Sequence, residues 1–145
     1  MEVTKDKQAW IAGQAEVIKN SAIEHLDIRI TDIDDDSIEM TMPVNEKTRQ
    51  PFGLLHGGMN MVLAESAASF HATWGVDLSE RVPVGIEISG SHLRSASDGL
   101  VRAKARVLRR SRNFIVHQVD IFHEETGKQL SAARVTNYYK RVGAE

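Results

Sequence analysis

A chain of 145 residues, 41% of them hydrophobic, with a net charge of -2, has material for one folded domain over residues 1–145 and not for a second core of similar size. The near balance of charge excludes a general attraction to nucleic acid or to an anionic membrane surface. The absence of cysteine excludes disulfides, thiolate zinc sites and a cysteine nucleophile, and fits a reducing compartment.

The first stretch, "MEVTKDKQAWIAGQAEVIKN", mixes charged with apolar residues and has no continuous apolar core, so it does not read as a signal peptide. No apolar run is long enough to span a bilayer, and the expected location is the cytoplasm. Trp10, Ile11, Gln14, Val17 and Ile18 recur at helical spacing and predict a short amphipathic helix over roughly 5–20. In the next segment Leu26, Ile28 and Ile30 alternate with Asp27, Arg29 and Thr31. After Asp34, Asp35 and Asp36 the alternation resumes with Ile38, Met40, Met42 and Val44. That is a hairpin of two half-buried strands, with the acidic cluster as its solvated turn.

A loop from Asn45 to Leu55, holding Pro51 and Gly53, leads into a long helix from Gly57 to Trp74, with Gly75 as its C-terminal cap. Everything after it reads as strand. Val84, Ile86 and Ile88 alternate with Gly85, Glu87 and Ser89; Val101, Ala103, Ala105 and Val107 alternate with Arg102, Lys104 and Arg106; "NFIVHQVDIF" and "QLSAARVTNYY" flank the turn "EETGK". The order α-β-β-α-β-β-β-β predicts an α+β domain in which an antiparallel sheet wraps one long helix. Neither a GxGxxG nor a Walker loop is present.

The long helix raises a chemical question. Met59, Met61, Val62, Leu63, Ala64, Ala67, Ala68 and Phe70 cover nearly every direction around it, with Glu65 among them. Such a helix is expected to be buried, and burial disfavours the charged form of a carboxylate. Glu65 therefore either meets a compensating donor, or lies at an exposed edge, or is held for chemistry. Just upstream, His56-Gly57-Gly58 forms either a tight turn or a site where a ligand approaches bare backbone. The first amides of a helix lack intrahelical partners and sit at its positive end, which suits an oxyanion. Glu65 and Gly57 are eight residues apart, roughly 12 Å along the axis, too far to act on one carbonyl. If both serve one site, they come from different chains, with two equivalent sites per dimer.

"QPFGLLHGGMNMVLAESAASF", "VGIEISGSHLRSA" and the arginine-rich strand together resemble the hotdog-fold acyl-CoA thioesterases over nearly the whole chain. The resemblance is strongest to the branch acting on 1,4-dihydroxy-2-naphthoyl-CoA and 4-hydroxybenzoyl-CoA and in enterobactin proofreading. It implies a hotdog fold: a long central helix wrapped by a six-stranded antiparallel sheet, with a short N-terminal helix. The activity implied is hydrolysis of an acyl-CoA with an aromatic or medium-chain acyl group, in a homodimer or dimer of dimers. No cofactor is implied beyond the coenzyme A that belongs to the substrate. Glu65 matches the catalytic carboxylate, as nucleophile or as general base. Gly57 matches the amide that polarises the carbonyl, and His56 and Gln50 match residues at the reacting centre. Ser69 matches a polar residue of the acyl pocket. Gly85, the segment His92-Leu93-Arg94-Ser95 and the segment Arg109-Arg110-Ser111-Arg112-Asn113-Phe114 match contacts to the CoA arm; Leu93 departs from a position that is often polar in the branch.

Arginine clusters suit the phosphates of CoA, although Arg102, Lys104 and Arg106 also read as a solvated face, and His92 also reads as a core histidine. Met59, Val62 and Phe70 are expected to line the acyl pocket. The remaining histidines show no metal-ligand spacing, and no metal is expected. The rival readings are a thioesterase acting on a carrier protein, a hotdog hydratase, whose Asp-x-Asn-Pro-x-x-x-His loop is absent, and a non-catalytic acyl-CoA-binding module.

Overall fold

The computed structural model describes residues 6–143, so the predicted helix start at residue 5 lies outside the described residues. Helix α1 spans Lys7–Val17, opened by Asp6, whose carboxylate accepts the Ala9 amide at 2.9 Å. A single-turn helix α2, Ala22–His25, follows. Strands β1 (Arg29–Ile33) and β2 (Ser37–Pro43) form the expected hairpin. Helix α3 is Gly57–Thr73, and β3 (Arg81–His92), β4 (Leu100–Arg110), β5 (Phe114–His123) and β6 (Gln129–Arg141) complete the chain.

All six strands form one antiparallel sheet in the order β1-β2-β4-β5-β6-β3. Helix α3 lies across it, touching β2 through β6. Its sheet-facing side carries Leu63, Ala64, Ala67, Ala68 and Ala72, and these short side chains let the helix axis approach the strands. Against them pack Ile33, Ile38, Met40, Met42, Val101, Ile121, Leu130 and Val135, all essentially inaccessible to solvent. Burying each large apolar side chain contributes about 1.5–3 kcal/mol.

The far end of α3 is pinned by polar contacts. His71 Nε2 donates to the Asp34 carbonyl at 2.8 Å, and its Nδ1 lies 2.7 Å from His117 Nε2. Trp74 Nε1 donates to Asp35 Oδ1 at 2.9 Å. The acidic turn is thus exposed, as expected, but it also docks α3, a role its composition does not reveal. Gly75 follows the helix with φ +70°, the left-handed conformation that a C-terminal cap requires.

The sequence pattern misplaces one face. The register of β3 against β6 shifts between Gly85 and Glu87, a bulge that turns over the alternation. Ile88 faces the core, while Val84 and Ile86 are 37% and 56% exposed. His92 therefore shares its face with Ile88 and not with Val84 and Ile86.

Candidate active site

At the N-terminal end of α3 the chain builds a cleft of about 360 Å³ lined by Gln50, Gly57, Asn60, His92, Arg94 and Ser95, with Leu93 at its edge. His56 caps the helix: its Nδ1 accepts the Gly58 amide at 2.8 Å. That leaves the amide of Gly57, first residue of α3, without an intrahelical acceptor and at the positive end of the helix dipole. A β-carbon at Gly57 would stand 2.5 Å from His92 Nε2, so only glycine lets the imidazole lie against the backbone here. His92 Nδ1 is 2.8 Å from Ser131 Oγ, and the Ser131 hydroxyl accepts from Asn60 Nδ2 at 3.0 Å. This chain fixes the ring with Nε2 toward Gly57. The Gln50 side-chain carbonyl accepts the Phe52 amide, so its Nε2 is the end left for a ligand.

Two turns further along α3, Glu65 occupies a different place. It is exposed in the single chain, which corrects the expectation of a buried acid. Only one side of α3 is covered by the sheet; Met59, Met61, Val62 and Phe70 are only partly buried. Glu65 leans over β3 at its bulge: a β-carbon at Gly85 would stand 2.6 Å from Glu65 Oε1 and 3.8 Å from Asn137 Oδ1. Asn137 is fully buried opposite Gly85 and accepts the Ser69 hydroxyl at 3.2 Å. Gly85, Glu65, Ser69 and Asn137 thus form one polar group, apart from the Gly57 cleft.

The arginine segment contributes to a third place. Arg112 and Asn113 line a cleft of about 980 Å³ with Arg81, Tyr138, Tyr139 and Arg141. Arg81 lies 4.4 Å from the centre of the Tyr139 ring and donates to the Arg112 carbonyl at 2.8 Å. Ser111 turns the chain, exchanging hydrogen bonds with Phe114, whose ring contacts Tyr138. Arg109 and Arg110 are exposed at the end of β4. By contrast Arg102 is partly buried and held by Glu124 at 2.7 Å, while Lys104 and Arg106 are exposed along the same strand.

The site residues named from sequence therefore fall into three groups: Gln50, His56, Gly57 and His92 to Ser95; Glu65, Ser69 and Gly85; and the segment from Arg109 to Phe114. Asn60, Ser131, Asn137, Arg81 and Arg141 were missed. The first was legible as the one amide among the apolar residues of the helix start. The others lie on strands whose neighbours only the folded sheet supplies.

A family model described as thioesterase superfamily matches residues 52–129. The chain belongs to this superfamily. It is 42% identical over 118 residues to 1,4-dihydroxy-2-naphthoyl-CoA hydrolase of Escherichia coli K12, covering 81% of this chain and 85% of that one. It is 39% identical over 114 residues to the proofreading thioesterase EntH of Cronobacter turicensis, covering 79% and 82%. A crystal structure of a thioesterase from Haemophilus influenzae superposes with a TM-score of 0.86 at 36% identity, covering 93% of each chain. The fold is the hotdog fold, and the protein is a thioester hydrolase.

Proposed function

We propose that the protein hydrolyses acyl-CoA thioesters with an aromatic or medium-sized acyl group, at sites each shared between two copies of the chain. The observation that carries this is the separation of the Gly57 cleft from Glu65 on one helix, combined with the open edge of β3. That edge is a 12-residue strand paired on one side only, with Val84 and Ile86 exposed. A long apolar edge of this kind needs a cover. If two copies pair antiparallel through β3 with Ser89 opposite Ser89, the bulge at Ile86 brings Gly85 of one opposite His92 of the other. Glu65 of one copy then stands at the Gly57 cleft of the second.

In that site the Gly57 amide and the dipole of α3 hold the oxygen of the thioester carbonyl. Glu65 of the second copy either takes a proton from an attacking water, or attacks the carbonyl carbon to form a mixed anhydride that water then cleaves to release the acid and restore the carboxylate. The negative charge that develops on oxygen is held at the helix terminus, the carbon–sulfur bond breaks, and CoA leaves as thiolate. His92 and Gln50 present donors near the reacting centre. The same pairing sets His92 to Ser95 of one copy beside the β3 start of the other. It therefore brings the two CoA-contact segments onto one path, leading to the cleft of Arg81, Arg112 and Arg141. Forked guanidinium groups there suit the pyrophosphate and 3′-phosphate, which favours CoA over a carrier protein as the leaving group.

Positioned acid–base groups contribute on the order of 10²–10⁴ in rate. Glu65→Gln and Glu65→Ala should therefore lose at least a hundredfold in kcat with benzoyl-CoA, followed by released thiol. Turnover close to wild type in both variants would remove Glu65 from the mechanism.

A further inference from the structure

We infer that Ser131 and Asn60 are positioning residues for the reaction: they hold His92 in the tautomer that carries its hydrogen on Nε2, and so give the Gly57 cleft a second donor to the thioester oxygen. The inference rests on the Gly57 amide being the oxyanion donor. Asn60 and His92 both line that cleft with Gly57, and Ser131 stands opposite His92 in the pairing of β3 with β6.

The hydrogen bonds fix the tautomer. Asn60 Nδ2 is 3.0 Å from Ser131 Oγ, and Ser131 Oγ is 2.8 Å from His92 Nδ1. An amide nitrogen only donates, so the Ser131 oxygen accepts from Asn60 and its own hydrogen remains to be placed. Ser131 is fully buried, where a hydroxyl hydrogen needs an acceptor. His92 Nδ1 therefore accepts it, and the ring hydrogen sits on Nε2. A doubly protonated ring would leave the Ser131 hydrogen without an acceptor. Turning the Asn60 amide over would reverse the chain, but it would put the NH2 group where Asn60 Oδ1 now has no partner. A buried N–H without an acceptor is rarer than a carbonyl oxygen left without a donor.

The place of Nε2 gives that hydrogen its use. A β-carbon at Gly57 would stand 2.5 Å from Nε2, so Nε2 lies within about 4 Å of the Gly57 α-carbon. Asn60 is one turn along α3 from Gly57, on the same side. The Gly57 amide and His92 Nε2–H border one small volume, and an oxygen placed between them takes a hydrogen bond from each. As the thioester carbonyl is attacked, its oxygen gains negative charge, which both donors stabilise; the hydrogen stays on Nε2 and no proton is transferred. The opposite tautomer would turn a lone pair toward that oxygen and repel it. The packing shows what the arrangement costs. Asn60 and Ser131 are 3% and 0% exposed, and Asn60 shares α3 with the buried Leu63, Ala64 and Ala67. A buried amide and hydroxyl are less favourable there than an apolar pair, and what this pair supplies is the orientation of one ring at the cleft.

Turnover of benzoyl-CoA, followed by released thiol, tests this in single and double variants. His92→Phe, which keeps a ring and loses the donor, should lose about a hundredfold or more in kcat. His92→Gln, whose amide supplies a donor near the place of Nε2 and has no tautomer to set, should recover about tenfold of that loss. Ser131→Ala should lower kcat about tenfold with little change in KM, yet change kcat by less than about twofold when His92→Gln is already present. A serine needed only for packing would cost the same in both backgrounds. Asn60→Asp should lose at least as much as Ser131→Ala, because the new carboxylate takes the Ser131 hydrogen and reverses the chain. Imidazole nitrogen NMR reads the tautomer directly: the His92 hydrogen should be on Nε2 in wild type and on Nδ1 in Asn60→Asp, with the His92 signals assigned by their loss in His92→Gln. A hydrogen on Nδ1 in wild type, or equal Ser131→Ala losses in both backgrounds, overturns the inference and leaves hydrolysis at the Gly57 cleft standing. Wild-type turnover in both His92→Phe and Gly57→Ala instead removes the cleft from the reaction, and the inference with it.

Discussion

Lowering the pH from 7.5 to 5 should weaken the fold through the His71–His117 pair. Both rings are fully buried. Because His71 Nε2 donates to the Asp34 carbonyl, its Nδ1 is the acceptor for His117 Nε2–H, and His117 Nδ1 has no partner. A proton added to His117 would sit in a desolvated place beside His71 and in the field of Arg110; burial first, then these charges, push its pKa from 6.5 down to about 3. Burial lowers His71 as well. Between pH 6.5 and 3 the unfolded chain takes up a proton that the folded chain refuses, so stability falls as the pH falls through that window. Each pH unit below the unfolded value removes about 1.4 kcal/mol per histidine. At pH 5 His117 alone therefore costs about 2 kcal/mol, and His71 adds to this with the same sign. The carboxylates held below their usual range, Asp32 by Lys7, Asp77 by Ser79 and Glu124 by Arg102, remain ionised above pH 5 and do not contribute there. Urea midpoints at pH 7.5, 6 and 5, at one protomer concentration, measure the slope. His117→Leu should flatten it by about 2 kcal/mol over this range. An identical slope in wild type and variant would refute the argument.

Two further perturbations address the site. Gly85→Ala should lower kcat at least tenfold while leaving the urea midpoint close to wild type, because the added carbon would stand 2.6 Å from Glu65 Oε1 and displace an exposed side chain rather than the core; equal loss of activity and stability would contradict that. Arg81→Ala and Arg112→Ala should raise KM for an acyl-CoA several-fold, with kcat retained, and leave turnover of the corresponding acyl-pantetheine unaffected, since in the proposed complex only the nucleotide phosphates would reach that cleft. Comparable effects on both substrates would remove the cleft from CoA binding.

Much of this was legible in the order of the residues. The apolar run from Met59 to Phe70 marks the central helix, the period-2 alternation marks the strands, and His56-Gly57-Gly58 marks the helix start with a bare amide. What escaped is non-local. The position of β3 beyond β6 at the sheet edge is a pairing choice that no short stretch encodes. The bulge at Gly85 is a backbone event, and it reversed the face assigned to Val84 and Ile86. Glu65 looked buried because apolar residues surround it in the helix, yet one chain covers only one side of that helix. Asn137 and Ser131 read as ordinary strand residues; their roles come from standing opposite Gly85 and beside His92 in the sheet.

The most direct measurement of the shared site is complementation between two inactive variants. Glu65→Ala and Gly57→Ala would be purified separately, unfolded, mixed in equal amounts, refolded together, and assayed with benzoyl-CoA. A hybrid dimer then carries one site with both Gly57 and Glu65 intact and one with neither, so the mixture should recover about a quarter of wild-type activity. Recovery no greater than the sum of the two parent variants would mean that the acid and the amide do not meet across two chains, and would contradict the account.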